Sequence, residues 1–130
     1  MNRQDEVLWA TLRIVLALLI AAHGWARLFA DAVVPFGQWL DGRGLPAGPV
    51  IAWAVTGYEI AGSALFAVGR FVFPLSLGFA AIYLAGLVLV HLPEGWFVVG
   101  LGRNGMEYGV LLVVALLCVG LHHRHAAPPA

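Results

Sequence analysis

The sequence predicts an all-α integral membrane protein: a four-helix bundle in up-down-up-down order, with residues 1–130 as a single transmembrane domain. Three observations predict it. The chain is 62% hydrophobic and only 11% charged, with a mean hydropathy of +0.90, far from the balance of a soluble domain. Four apolar runs, at roughly 7–30, 48–68, 71–92 and 104–121, each approach the ~20 residues a helix needs to cross the hydrocarbon core. Glycine and proline also punctuate the boundaries of these runs.

The first run is read as a retained helix rather than a cleaved signal peptide. The residues before it are not net basic, Arg13 interrupts it, and it outlasts an ordinary signal core, although "FADA" follows it with small residues. The connection "VVPFGQWLDGRG" suits a short interfacial helix. Gly42, Gly44, Pro46, Gly48 and Pro49 then precede the second run, with Pro49 suited to a first helical turn. Gly69 and Arg70 separate the second and third runs so briefly that these helices are expected to be antiparallel neighbours. Pro74 fits the first turn of the third helix, where its missing N–H costs little, and Pro93 follows that helix's end.

This order puts both longer connections on one side of the membrane and both termini on the other. Arginines divide evenly, with Arg3, Arg70 and Arg124 on the terminal side and Arg27, Arg43 and Arg103 on the loop side. Arg13 tips the balance toward cytoplasmic termini under the positive-inside rule, in a cell (inner) membrane. Trp25, Trp39, Trp53 and Trp96 fall on the loop side, as an aromatic belt does, and Trp9 on the other.

Composition also excludes functions. Net charge is zero, with no lysine and no basic cluster for nucleic acid. Cys118 is the sole cysteine, so the chain forms no internal disulfide and carries no C-x-x-C pair. No flavin motif or Fe–S cysteine set is present. "HHRH" at 122–125 is read as the solvated basic end of a mobile tail, not as a metal site.

Ionisable groups inside a membrane are costly, about 2.5–3.5 kcal/mol each at a helix centre on insertion scales, so each needs a partner or a purpose. Arg13, His23, Arg27, Glu59, His91 and Glu107 are the candidates. At about 100° per residue, Arg13, His23 and Arg27 share an arc of about 80° on the first helix. Thr56, Glu59 and Ser63 share a face of the second, where Gly57 and Gly62 permit close helix approach. An internal polar cluster is expected.

Each member also has a purely structural account. Arg13 lies within reach of Glu59 and can neutralise it, Arg27 can snorkel to the interface, and His91 sits at a helix end. Asn104 and Glu107 have the spacing of a capping box, which accounts for Glu107 without chemistry. Gly105 and Gly109 have the spacing of a close helix contact. Glu59, mid-helix, has no such account beyond Arg13. Tyr58 and Tyr108 flank the two acids as donors or packing residues.

At these positions the sequence resembles the DoxX family of small four-helix membrane proteins. The resemblance rests on Arg13 followed by "HGWARLF", on "FGQWLDGRGLP", on "GYEIAGSALFAVGRF" and on "NGMEYGVLLVVALL", in that order along nearly the whole chain. Arg27 stands where many members have lysine. The family's founding members are subunits of a thiosulfate:quinone oxidoreductase, which implies a redox-linked membrane role.

The resulting expectation is a quinone-interacting component, with a subunit of a quinone-linked oxidoreductase as one form it can take. Glu59 and His23 would be its catalytic pair, and Arg13, Arg27, Tyr58, His91, Glu107 and Tyr108 would line the substrate site. The expected cofactor is quinone, with no metal, flavin or Fe–S site. The expected partners are the lipid bilayer, a protein that supplies electrons, and further copies of the chain. Two alternatives stand beside it: a non-catalytic anchor or assembly subunit, and a small-solute transporter.

Overall fold

The computed structural model describes residues 1–126; the last four residues of the expected domain lie outside the described part. The described residues contain helices and no strand: α1 (Arg3–Phe29), α2 (Val33–Gly42), α3 (Gly48–Ala67), α4 (Val72–Glu94) and α5 (Glu107–Ala126). All but α2 are long and apolar enough to cross a membrane, so the chain is a multi-pass membrane protein. Leu18, Val50, Val68, Leu84 and Leu111 are exposed, as expected where lipid replaces water as the solvent.

Helix ends explain where the observed bounds depart from hydropathy. The helix α1 begins at Arg3, ahead of the apolar run, because Asn2 and Asp5 cap it reciprocally. The Asp5 N–H donates to Asn2 Oδ1 at 2.9 Å and the Asn2 N–H to Asp5 Oδ2 at 3.4 Å. At the end of α3, the Arg70 N–H reaches the Leu65 carbonyl (2.9 Å) and the Gly69 N–H the Phe66 carbonyl (3.1 Å). This is the Schellman arrangement, and Gly69 supplies the left-handed residue at φ +81°.

The chain forms two compact units that share α1, one of Met1–Leu12 with the chain from Phe71 onward, the other of Arg13–Arg70. In the first, α4 and α5 run antiparallel: Gly109 meets Leu87 and Gly120 meets Ser76. Their core includes Phe79, Leu87, Leu112, Leu116 and Val119. Near the chain termini the Trp9 and His122 rings stack 4.2 Å apart and 7° from parallel, and His123 Nδ1 donates to the Val119 carbonyl at 2.9 Å. The "HHRH" segment is therefore the last turn of α5, not a tail, because His122, His123 and Arg124 find partners along and beside the helix.

In the second unit α1 and α3 are also antiparallel, and α2 packs over the start of α3. Val33, Leu40 and Ala52 form a small core joined by Phe36, Trp39 and Ile51. Ala47, which precedes α3, offers no side-chain cap. Asp41 supplies one from a distance, its carboxylate accepting the Gly48 N–H at 2.8 Å, where the helix dipole also favours negative charge. Asp41→Ala is expected to cost about 1 kcal/mol, the usual worth of an N-terminal cap. Chemical denaturation in detergent measures it, and an unchanged midpoint would remove Asp41 from this role.

Candidate functional site

The buried stripe of α1 contains Leu16, Ala17, Ile20 and Gly24. On α3 it contains Ala52, Thr56, Glu59, Gly62, Ser63 and Phe66. Spacings of three and four residues keep each set on one helix face. The two stripes meet at Gly24, where an added Cβ would lie 2.9 Å from Ile60 Cγ1 and 3.1 Å from Glu59 Cβ. Glycine here lets the helix backbones close directly beside the acid. Glu59 itself lies in a π-helical turn, Tyr58–Gly62, a distortion that recurs at functional sites.

Glu59 is 2% exposed, and its counter-ion is Arg27: Nη1 donates to Glu59 Oε2 at 2.7 Å. The same nitrogen donates to Thr56 Oγ1 at 3.0 Å, and the Thr56 hydroxyl passes its own hydrogen to the Ala52 carbonyl at 2.7 Å. The guanidinium also lies over the Phe36 ring, 4.7 Å from its centroid. Among the described residues both hydrogen bonds of Arg27 leave from Nη1, so Nε and Nη2 keep donors to offer. The Arg27 side chain is 18% exposed against 2% for Glu59. An approaching molecule therefore meets the arginine first and the acid behind it.

Arg13 does not take the place expected for it at Glu59. Its Nε and Nη2 donate to the Ala67 carbonyl at 3.3 and 3.2 Å, about 12 Å further along α3 at 1.5 Å per residue. There Arg13 satisfies a last-turn carbonyl that the Schellman turn leaves open. Nor does Arg27 snorkel to an interface, since its guanidinium turns inward to Thr56 and Glu59. His23 is exposed. It lies at one edge of the arc it shares with Arg13 and Arg27, and the buried stripe of Leu16, Ala17, Ile20 and Gly24 is centred at the other edge, near Arg13. Tyr58 is partly buried on α3.

The remaining candidates belong to the other unit and serve its loop. His91 ends a second π-helical turn, Leu87–His91, and its Nδ1 donates to the Asn104 carbonyl at 2.7 Å. Glu107 opens α5, and its Oε1 accepts the Val98 N–H at 3.1 Å. The expected capping box is therefore absent. Asn104 adopts φ +56°, outside the helix, and the Glu107 carboxylate ties the preceding loop instead of a helical N–H. Tyr108 is exposed.

Sequence reasoning missed Phe36 and the role of Thr56 as acceptor from Arg27. The spacing of Val33, Phe36, Gly37 and Leu40 marks one amphipathic face of α2 and was the signal available for Phe36.

A family model described as DoxX matches residues 8–92, which include Arg27, Phe36, Thr56 and Glu59. No curated protein and no solved structure matches the chain.

Proposed function

The chain belongs to the DoxX family, and from that premise we propose that it is a quinone-interacting, redox-associated component of the inner membrane. The Arg27–Glu59 pair carries this reading. It places a carboxylate and a fork of spare N–H donors inside a membrane span, beside an aromatic ring. A quinone headgroup requires directed donors for its carbonyls, an apolar or aromatic wall and a route for protons. Arg27 Nε and Nη2 provide the donors, and Phe36 provides the wall.

A bound quinone supplies an acceptor of two electrons and two protons. Glu59 holds or releases a proton at its carboxylate, and Thr56 keeps the guanidinium aimed. Arg27 polarises a carbonyl, and His23 lies exposed on the same helix. The electrons come from a partner protein, since the sequence carries no flavin motif or Fe–S cysteine set. Both termini face the cytoplasm in this proposal, and the chain works in a larger assembly that includes further copies of itself.

The test is the quinone content of the purified protein by mass spectrometry. Quinone is expected to co-purify and to be lost in Glu59→Gln. A protein empty of quinone, or content unchanged in the variant, would overturn the reading.

One observation favours a second reading, a non-catalytic anchor or assembly subunit. Among the described residues every buried side-chain nitrogen and oxygen already has a hydrogen-bond partner, so the pair is satisfied by the protein alone. On that reading Glu59→Gln lowers accumulation or complex formation and leaves ligand content unchanged. Isolation of native complexes separates the two.

A further inference from the structure

The connection between α4 and α5 is a built loop with an apolar tip. Its neck is closed by four backbone hydrogen bonds: Met106 N–H to Gly95, Glu107 N–H to Trp96, Gly105 N–H to Phe97, and Asn104 N–H to Val98, at 3.0–3.3 Å. Two side chains lock the same neck, His91 onto the Asn104 carbonyl and Glu107 onto the Val98 N–H. A neck held this firmly presents its tip in one shape.

That tip is unusually apolar for a connection. Trp96 is 47% exposed, Phe97 44%, Val99 75% and Leu101 89%. Within 96–103 the only charge is Arg103, and no acid occurs. Soluble loops do not leave such a group uncovered without a use for it.

The surroundings identify what covers it. Leu84, Val88 and Leu92 are exposed at intervals of four residues along α4, an apolar stripe that ends just before the exposed Glu94 at the foot of the loop. Leu111 continues a like surface on α5. The apolar tip thus connects two helices that both expose apolar side chains where lipid is the solvent. Trp96 has the amphipathic ring favoured at headgroup level, and Arg103 suits the phosphate layer.

We propose that residues 96–101 form a membrane-dipping loop, preshaped by His91 and Glu107, whose tip enters the boundary between headgroups and acyl chains beside α4 and α5. The occupant of the patch is the lipid bilayer. His91 and Glu107 are accordingly positioning residues for a lipid contact, a role independent of the quinone site.

The experiment uses the full chain in phospholipid nanodiscs, with Cys118→Ser as background and a nitroxide attached through Leu101→Cys. Power saturation compares collisions with oxygen, which concentrates in lipid, and with a water-soluble nickel chelate. The label at 101 is expected to show high oxygen and low nickel accessibility, with nickel accessibility at least threefold below that of a label attached through Arg43→Cys. Adding Glu107→Gln is expected to raise nickel accessibility at 101, because the neck loosens. A separate Val99→Cys label is expected to match position 101, which guards against a local effect of one substitution.

Labels at 99 and 101 open to nickel would make the tip a solvent loop and overturn the proposal. Labels shielded from both reagents and immobilised would place protein against the tip, a second copy or another chain, and would overturn it equally.

Discussion

Arg27→Ala is expected to destabilise the protein by about 3–5 kcal/mol, the usual cost of removing one partner from a buried ion pair. The reason is the burial of Glu59, which at 2% exposure has no water to replace the lost guanidinium. Removing Arg27 takes from this buried carboxylate the guanidinium that compensates its burial. Glu59→Gln is expected to cost less, about 1–3 kcal/mol, the penalty of a weakened buried hydrogen bond. The partly exposed Arg27 can then turn outward. Replacing both partners with apolar residues, Arg27→Met with Glu59→Leu, should recover most of the loss. Equilibrium unfolding in mixed detergent measures all three. If Arg27→Ala lay within about 1 kcal/mol of the parent protein, the range for an exposed pair, the pair would not be a structural element.

Gly48→Ala is expected to dislodge α2 from α3. A Cβ at this position would overlap the Gly37 carbonyl oxygen and lie 2.7 Å from Asp41 Oδ1. The first contact is backbone, which cannot swing aside as a side chain can. The second is the carboxylate that caps α3. Overpacking ordinarily costs about 1–3 kcal/mol, and here the Asp41 hydrogen bond is strained as well. Because Phe36 rides on α2, the guanidinium of Arg27 should also lose its aromatic cover. Gly57→Ala provides the contrast: nothing lies within 4 Å of its added Cβ, and it sits in helical backbone. That change is expected to stabilise by about 0.5–1 kcal/mol, the helix preference of alanine over glycine. Equal destabilisation by the two changes would mean that the close crossing of α2 and α3 does not govern stability here.

Hydropathy alone identified the four spans, because in lipid a backbone must satisfy its own polar groups and a long apolar run has few alternatives to a helix. Helical periodicity placed Thr56, Glu59 and Ser63 on one buried face of α3, and turn chemistry marked Gly69 as the end of that helix. The start of α1 was legible too, in the Asn2 and Asp5 cap, but hydropathy concealed it because capping residues are polar. The last turn of α5 was concealed in the same way by its histidines.

Which arginine meets Glu59 was decided only by tertiary structure. Arg13 and Arg27 share nearly the same face of α1, so periodicity cannot choose between them. The choice depends on how far α1 slides along α3, and that offset is set by Gly24 closing on Ile60 and by Arg13 reaching the Ala67 carbonyl. His23 illustrates the finer limit, since a residue at the margin of a helical arc is exposed or buried according to where the neighbouring helix is centred. Glu107 illustrates the coarser one. The sequence pairs it with Asn104 at capping distance, but a left-handed Asn104 and a folded-back loop bring Val98 to its carboxylate instead. Residue spacing specifies which groups share a helix face; the axial offset between helices and the path of a loop arise from packing, which no local pattern contains.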